Sequence, residues 1–301
     1  MIGFGVASRV VGRQIGGSRT LSLAIIGLRE LFGYLASIQA SAFRLPDTLL
    51  PSEPEQAELA IQQSSGLLVE LGAQARVAGL RLSVHPGLHV ALAAEQPDTA
   101  ARSVAAVTAQ ALLLDALGCG PEAVIVLHVG GSGQVALERF AARYEQLPAP
   151  ARRRVAVEAG QHGFDVTALL WLRRWYGVPL IFDALHFQLN NPGQLPLHDA
   201  LALALGSWSP GVRPKIHLST QRTEAHLRPG RGGDAPLIVA PQRGQHADFL
   251  NPFEVATLLR AARGLPGFDI MIEAKAADLA LLRLREDVRL YAPDVAARLR
   301  V

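Results

Sequence analysis

Eight short apolar runs rich in β-forming residues recur along this chain, and longer segments separate them. The longer segments place apolar residues three and four positions apart, which is the period of an amphipathic helix. Such alternation predicts a parallel sheet, because each helix crosses over to the start of the next strand. The predicted strands are Ile2–Ala7, Ala42–Leu45, Arg81–His85, Ala123–His128, Arg154–Glu158, Leu180–His186, Lys215–Ser219 and Asp269–Lys275.

The main predicted helices between them are Glu55–Ala78, Thr99–Leu117, Val135–Gln146, Phe164–Tyr176, Leu197–Leu205 and Pro252–Ala262. Eight such units within 301 residues favour a closed barrel over a doubly wound sheet, which usually has fewer strands. A chain that is 50% hydrophobic can bury a core of that size. Because no domain boundary is visible, we predict an α/β fold, a (β/α)8 TIM barrel, that forms a single domain over residues 1–301.

The composition excludes several classes of protein. The single cysteine, Cys119, excludes an intramolecular disulfide and any zinc site built from several thiolates. The sequence has no run of about 18 charge-free apolar residues and no signal segment, so we expect a soluble cytoplasmic protein without a membrane partner. The net charge of +3 permits a nucleic-acid partner without arguing for one. No sequence feature decides the oligomeric state, and a monomer is our working expectation.

The one long irregular stretch, residues 221–245, is rich in Gly, Arg and Pro and follows the seventh predicted strand. A loop of this length is usually functional or disordered. Two interpretations of its arginines stay open: contact with a polyanion, or solvated loop charge, which is commoner. These arginines are Arg222, Arg228, Arg231 and Arg243.

Only two of the 29 basic residues are lysines, Lys215 and Lys275, and both lie beside acidic or histidine residues at predicted strand termini. GC-rich codon bias explains the excess of arginine without any functional cause. A site role would explain the two lysines, because a guanidinium cannot replace a compact, titratable amine. Both explanations stay open.

Histidine and carboxylate residues end successive predicted strands. Each histidine taken singly is more often a satisfied buried or rim residue than a ligand, but a barrel brings the carboxyl ends of all its strands to one face. Burying so many imidazoles and carboxylates without cations would leave unpaired charge, at several kcal/mol per ion. We therefore predict a metal site formed by His85, His128, Glu158, Asp183, His186, His217, His246 and Glu273.

Nitrogen and oxygen ligands without sulfur suit Mn²⁺ or Zn²⁺, and Mg²⁺ fits less well because it prefers oxygens. Eight ligands are too many for one ion, so we predict two or three ions, with Glu158 and Asp183 as bridging ligands. Clustered metals suggest phosphoryl chemistry, because they activate water and neutralise phosphate oxygens.

Several of these residues stand in motifs that resemble the UV damage endonuclease family in order and spacing. The resemblance runs through the third to eighth strands, about two thirds of the chain. That family looks like a relative of endonuclease IV, a three-metal barrel that cuts DNA at damaged sites. The motifs are His-Pro-Gly (85–87), Leu-His-Val-Gly-Gly (127–131), Phe-Asp (182–183) with His186, Pro-Lys-Ile-His (214–217), His-Ala-Asp (246–248) followed by Asn-Pro-Phe (251–253), and Glu-Ala-Lys (273–275).

The resemblance implies that the eight predicted ligands hold metal, with catalytic roles for Glu158, Lys215 and Glu273. It also implies that Lys215 lies beside the metals, where family members can carry it carboxylated. The implied substrate is damaged double-stranded DNA. The implied reaction is hydrolysis of the phosphodiester immediately 5′ to a lesion, which leaves a 3′-hydroxyl and a 5′-phosphate.

The positions that would recognise damage depart from the family pattern. Leu88-His89 stands where the family presents Gln-Tyr or Gln-Phe, Ser8 where it has an asparagine, and Ala159-Gly160 where it has Asn-Asp. A leucine can wedge between base steps and an imidazole can stack, although Leu88 could equally pack at the rim. The candidate contacts with DNA or the lesion are Phe4, Arg44, Leu88, His89 and Lys275.

Two other functions compete with a repair endonuclease. A sugar isomerase or epimerase of the xylose-isomerase type uses the same kind of barrel, but such sites usually hold one or two ions, and eight ligands count against it. A damage-binding protein that no longer cuts would gain nothing from keeping every ligand.

Overall fold

The computed structural model describes residues 1–13, 20–230 and 234–299. The strands in these ranges are β1 Gly3–Ala7, β2 Ala42–Leu45, β3 Arg81–Val84, β4 Ile125–His128, β5 Val155–Glu158, β6 Leu180–Ile181, β7 Lys215–Leu218, β8 His226–Arg228, β9 Leu237–Val239 and β10 Asp269–Ile272. The helices are α1 Leu21–Ser37, α2 Pro54–Gln63, α3 Ser65–Val77, α4 Pro97–Ala116, α5 Gly133–Gln146, α6 Ala149–Arg152, α7 Val166–Tyr176, α8 Ala184–Leu189, α9 Leu197–Gly206, α10 Pro252–Ala261, α11 Ala277–Tyr291 and α12 Pro293–Ala296.

Eight strands form one parallel sheet in the order β6, β5, β4, β3, β2, β1, β10, β7. The two outer strands of this order also meet. Asp183 and His217 form a parallel bridge, and the His217 amide donates to the Phe182 carbonyl oxygen at 2.8 Å. The sheet is therefore closed, with helices around it, and the predicted (β/α)8 barrel is confirmed.

The barrel wall separates two apolar cores, because alternate residues of a strand face opposite sides. The larger core lies between the strands and the helices and includes Phe4, Phe43 and Val84. A small core on the other side of the wall consists of Val124, Val126, Ala156, Ile181 and Trp208. At the carboxyl ends of the strands, the side chains that point into the barrel form its polar mouth.

Buried charges close the opposite end of the barrel. Asp269 accepts from Arg81 Nη1 at 3.4 Å and from Arg213 Nε at 2.8 Å. Gly3 lies against this cluster, and a Cβ there would stand 2.3 Å from Ser41 Oγ and 2.6 Å from Asp269 Oδ1. Only glycine fits at that position, so the start of β1 is constrained by the paired charges.

The structure differs from the predicted elements in three main ways. The sixth strand ends at Ile181, and the chain turns at Asp183 into α8, because the Asp183 carboxylate caps that helix by accepting from the His186 amide at 2.7 Å. The predicted helix Glu55–Ala78 is two helices that break at Ser64. Helices α1 and α11 were not predicted, although both bury an apolar face.

The segment predicted to be irregular contains secondary structure. Strands β8 and β9 pair antiparallel and form a small sheet separate from the barrel. Arg231, one of the loop arginines, lies outside the described residues. Within the ranges that the structure covers, every helix is too short or too polar to cross a membrane.

Candidate metal centre

The centre is built around Glu158, the last residue of β5, which is 2% exposed. Its Oε2 lies 2.8 Å from His85 Nε2 and 3.5 Å from His128 Nε2. Its Oε1 lies 3.0 Å from His217 Nδ1 and 3.4 Å from His186 Nδ1. One carboxylate thus stands among four imidazoles contributed by three other strands and by α8.

A second carboxylate, Glu273, lies directly after strand β10 at the mouth of the barrel. Its Oε1 lies 3.2 Å from His217 Nδ1, and its Oε2 lies 4.0 Å from His246 Nδ1. Arg44 Nη2 donates to the same Oε1 and lies 3.0 Å from His217 Nε2. The negative charge of Glu273 is therefore stabilised by the guanidinium of Arg44 as well as by the imidazole of His217.

Three groups of side chains have ligand atoms within 4.8 Å of one another, the spacing that one metal ion requires. Glu158, Asp183 and His217 each belong to two groups, and the two carboxylates, which have two oxygen atoms each, could bridge neighbouring ions. The groups are His85 with Glu158 and His217, Glu158 with Asp183 and His186, and Asp183 with His217 and Glu273.

The donor set and one unpartnered atom fit divalent cations. Asp183 is fully buried, and its Oδ2 has no hydrogen-bond partner among the described residues. An unpaired buried carboxylate oxygen is costly unless a cation compensates it. Glu158 and Asp183, the predicted bridging pair, belong to residue groups that could hold a metal ion, and their bridging role stays a prediction.

Backbone carbonyl groups orient three of the histidines. His85 Nδ1 lies 3.0 Å from the Val126 oxygen, His186 Nδ1 lies 2.9 Å from the Ala159 oxygen, and His246 Nδ1 lies 2.8 Å from the Glu273 oxygen. A carbonyl oxygen only accepts, so Nδ1 carries a proton in each of these histidines, and Nε2 is the nitrogen that could coordinate a metal ion. This arrangement is typical of histidines that ligate metal.

The pKa values of the acids diverge although all three are buried. Burial, with the charges of Glu158 and Glu273, raises the pKa of Asp183 to about 7. Burial would also raise the pKa of Glu273, but Arg44 and His217 outweigh it and lower the value to about 2. The surrounding histidines similarly hold the pKa of Glu158 well below its ordinary value despite its burial.

The histidines diverge in the same way. Burial lowers the pKa of His217 to about 4, which leaves a neutral imidazole near pH 7. Burial would lower the pKa of His186 as well, but hydrogen bonding to Glu158 and the charge of Asp183 raise it to about 9. Without metal, His186 is therefore an imidazolium near pH 7, beside the carboxylates of the centre.

Lys215 lies inside the barrel at the start of β7, two residues before His217 and 1% exposed. Its Nζ has no hydrogen-bond partner within the described ranges. Burial lowers its pKa well below the ordinary value, and the charges of Arg81 and Arg44 add to that effect. Burial therefore favours the neutral amine, which is the form that acts as a nucleophile.

A cavity of about 460 Å³ opens above the centre. His85, His128, Glu158, His246 and Glu273 line its floor, and Leu88 and residues 160–164 line its rim. The His-Val-Gly-Gly motif shapes one wall, because both glycines have positive φ, 78° at Gly130 and 69° at Gly131. At this rim a side chain on Gly163 would collide with the Gly131 carbonyl oxygen at 2.8 Å.

The chain has relatives among known proteins. The family model described as UV-endonuclease UvdE matches residues 20–296. The chain belongs to the UvdE family. A UV DNA damage endonuclease of Bacillus cereus (strain G9842) is 27% identical over 265 residues, which cover 86% of this chain and 78% of that protein. The suspected family resemblance is confirmed.

Solved structures show how widely this fold is shared. The crystal structure of SacUVDE matches with a TM-score of 0.82 at 24% identity, covering 96% of this chain and 99% of that one. Endonuclease IV of Thermus thermophilus matches with a TM-score of 0.61 at 18% identity, covering 96% of this chain and 99% of that one. A D-psicose 3-epimerase of Clostridium cellulolyticum H10 matches with a TM-score of 0.59 at 12% identity, covering 98% of this chain and 99% of that one. The fold alone therefore does not separate nucleases from epimerases.

Two of the predicted DNA contacts of this UvdE-family chain are corrected by the structure. Phe4 is fully buried in the larger core, where its side chain faces the helices and has no access to the mouth. Arg44 is only 9% exposed and is held by Glu273 and His217 inside the centre. Strand parity turns Phe4 away from the mouth, because neighbouring residues of a strand face opposite sides, whereas Arg44 faces the mouth and is occupied by its partners there.

The other three candidates lie on the surface. Leu88 is 78% exposed at the rim of the cavity above the centre. His89 is exposed and lines a neighbouring cavity of about 610 Å³ with Asp47, whose carboxylate accepts from the Gly87 amide at 3.1 Å. Lys275 is exposed, two residues after Glu273. These three stay predictions.

Sequence reasoning gave Arg44 a different role and missed Gln161 and His162. The pairing of Arg44 with a ligand could not be read from the sequence, because the two residues are 229 positions apart. Gln161 and His162, which line the cavity, follow directly after the fifth strand, and that position was the available signal.

Proposed function

We propose that this chain is a metal-dependent endonuclease that hydrolyses the phosphodiester 5′ to a lesion in duplex DNA, leaving a 3′-hydroxyl and a 5′-phosphate. The observation that carries the proposal is the position of Glu158, buried within 3.5 Å of four imidazoles at the floor of an open cavity. Membership of the UvdE family and the name of the Bacillus relative support DNA as the substrate.

The eight ligand-type residues, six of which form the three groups described above, would hold two or three ions, with Mn²⁺ proposed first and Zn²⁺ or Mg²⁺ as alternatives. Bound there, divalent cations would activate water and neutralise the phosphate oxygens. The chain itself contributes two kinds of group. Its backbone carbonyl groups orient the imidazoles, and the carboxylates of Glu158 and Glu273 would balance the positive charge of the ions. Lys215, beneath them, would hold a carboxylate on its amine, formed by addition of carbon dioxide and loss of a proton.

The rim of the cavity would engage the duplex. Leu88 is exposed enough to press between base steps at a distorted site, and His89 beside it can stack or donate. Lys275 would contact a phosphate, which adds affinity without sequence preference. We further propose that the chain acts as a monomeric single domain in the cytoplasm, where Cys119 stays a free thiol.

The test is incubation of the protein with Mn²⁺, Zn²⁺ or Mg²⁺ and end-labelled duplexes that carry a cyclobutane dimer, a 6-4 photoproduct, an abasic site or no damage. A single nick 5′ to one lesion class, absent with chelator, is the expected result. Electrophoresis after phosphatase or ligase treatment identifies the two ends. No cleavage of any duplex, by protein shown by elemental analysis to hold its metals, would contradict the proposal.

The epimerase alternative keeps one argument, the fold it shares with D-psicose 3-epimerase. Three overlapping ligand groups count against it, because one or two ions suffice for that chemistry. Conversion of ketoses in the presence of Mn²⁺, without nicking, would favour it. Binding of damaged duplex without cleavage or ketose conversion would favour the damage-binding alternative.

A further inference from the structure

The hairpin formed by β8 and β9 is not used by any function described so far. It carries three exposed apolar side chains, with exposed fractions of 66% for Leu227, 54% for Leu237 and 78% for Ile238. A two-stranded sheet away from the core is only marginally stable, and apolar side chains left in water at such a position call for a partner. The question is which partner this hairpin meets.

The pairing of the strands arranges these side chains. Leu227 is directly opposite Ile238, so both project from the same face of the hairpin. Arg228 is opposite Leu237 on the other face, is exposed, and forms no ion pair within the described ranges. The hairpin therefore presents an apolar pair on one face and an uncompensated cation on the other.

The root of the hairpin is tied to the metal centre. Gln221 and His246 form an antiparallel bridge, and the Arg222 amide donates to the Gln245 carbonyl oxygen at 2.7 Å. Gln245 Nε2 also lies 3.1 Å from Nε2 of His226, the first hairpin residue. Because His246 is a predicted ligand and Gly244 lines the cavity, the base of the segment that carries the hairpin lies beside the candidate metal centre.

We propose that the β8–β9 hairpin is a second duplex-contacting element, in which Leu227 and Ile238 press into an unstacked step of damaged DNA while Arg228 holds a phosphate. This inference rests on the proposed function. Duplex DNA is the favoured occupant, because the segment that carries the hairpin is bridged to His246 and lines the cavity through Gly244, and the hairpin combines apolar side chains with a free guanidinium. Glu224 and Asp234 are the exposed acids of the same segment, and they face the solvent outside the paired strands.

The test compares the double variant Leu227→Ser/Ile238→Ser with Leu290→Ser. Leu290 is 69% exposed near the end of α11, the end of a barrel helix that lies away from the mouth, so it matches Leu227 in residue type and exposure. Binding is measured by fluorescence anisotropy with chelator present, on a duplex with an abasic site and on the same duplex undamaged. A 2-aminopurine beside the abasic site reports unstacking.

The double variant should bind the abasic duplex about tenfold more weakly and lose most of the 2-aminopurine signal, because the apolar wedge is removed. Its affinity for undamaged duplex should change less than threefold. Arg228→Gln should weaken both duplexes equally and reduce the slope of log K against log salt by about 1. Leu290→Ser should match the wild type.

Two results would overturn the proposal. Equal binding and equal 2-aminopurine signal for the double variant and for Leu290→Ser would show that the hairpin does not enter the duplex. Unchanged DNA binding together with a fall from dimer to monomer in light scattering would make the apolar face an interface between copies. Failure of the wild type to bind or nick any duplex would remove the proposed function as well, so the two failures are distinguishable.

Discussion

Replacing Arg44 by methionine should destabilise the protein when metal is removed and leave the metal-bound protein nearly unchanged. Arg44 contacts both Glu273 and His217, and its side chain is 10% exposed. With burial opposing it, this pairing holds the pKa of Glu273 at about 2 against an ordinary 4.5. A difference of roughly 2.5 pKa units corresponds to about 3 kcal/mol.

The sign follows from the direction of that shift. The folded protein holds the pKa of Glu273 below its ordinary value, so the stabilisation is complete above about pH 5 and is lost as the pH falls toward 2. At pH 7, chelated Arg44→Met should therefore lose roughly 2–4 kcal/mol of unfolding free energy, or about 5–12 °C in Tm. Cations bound to Glu273 would replace the guanidinium charge, so the loss should fall below about 1 kcal/mol with saturating metal.

The assay is thermal unfolding followed by circular dichroism, with chelator and with Mn²⁺, for the wild type, Arg44→Met and Arg44→Lys. Arg263→Met is the matched control, since Arg263 pairs with Asp294 at 2.7 Å on an exposed surface where such pairs contribute little. Arg44→Lys should recover part of the loss because it keeps the charge. An equal Tm loss with and without metal, or none with chelator, would refute the idea that guanidinium and metal compensate the same carboxylate.

Three further predictions concern the same centre. Glu158→Gln should abolish metal-dependent nicking and lower the metal content measured by elemental analysis, with an unchanged circular dichroism spectrum; normal nicking would remove Glu158 from the ligand set. Asp183→Asn should stabilise the chelated protein by about 2–4 kcal/mol at pH 8. The reason is that a carboxyl group whose pKa is raised to about 7 in the folded protein destabilises the fold as the pH rises from about 4 to 7. An unchanged denaturant midpoint at pH 8 would contradict this. Lys215→Met should remove nicking while raising the Tm of the chelated protein by about 2–5 °C, because it removes an unpartnered buried amine. ¹³C NMR of the wild type under labelled carbon dioxide should show a carbamate signal that the variant lacks. Absence of that signal from the wild type would argue against carboxylation.

The sequence predicted the barrel well because strand–helix alternation is a local pattern that the closed sheet simply repeats. It predicted the convergence of the ligands for the same reason, since the carboxyl ends of parallel strands must meet at one face. His186 is a partial exception. It reaches the centre from α8, because Asp183 caps that helix, and only the apolar run around it suggested a strand.

The remaining errors come from information that is not local. Phe4 faces the larger core and Arg44 faces the centre, and only the closed barrel decides which side chains point to its interior. The β8–β9 hairpin escaped prediction because its strands have three residues each and stand among Gly, Pro and Arg. Its apolar residues are exposed, so no burial pattern identifies them.

The bridge between Gln221 and His246 also bears on how such a chain can change its substrate. It closes the intervening segment at its base, and the entropy of closing a loop rises only slowly with its length. The segment can therefore lengthen, shorten or exchange its hairpin while His246 and Glu273 keep their places. Transplanting hairpins between such barrels is thus a direct way to alter which duplexes are held without rebuilding the centre that would cut them.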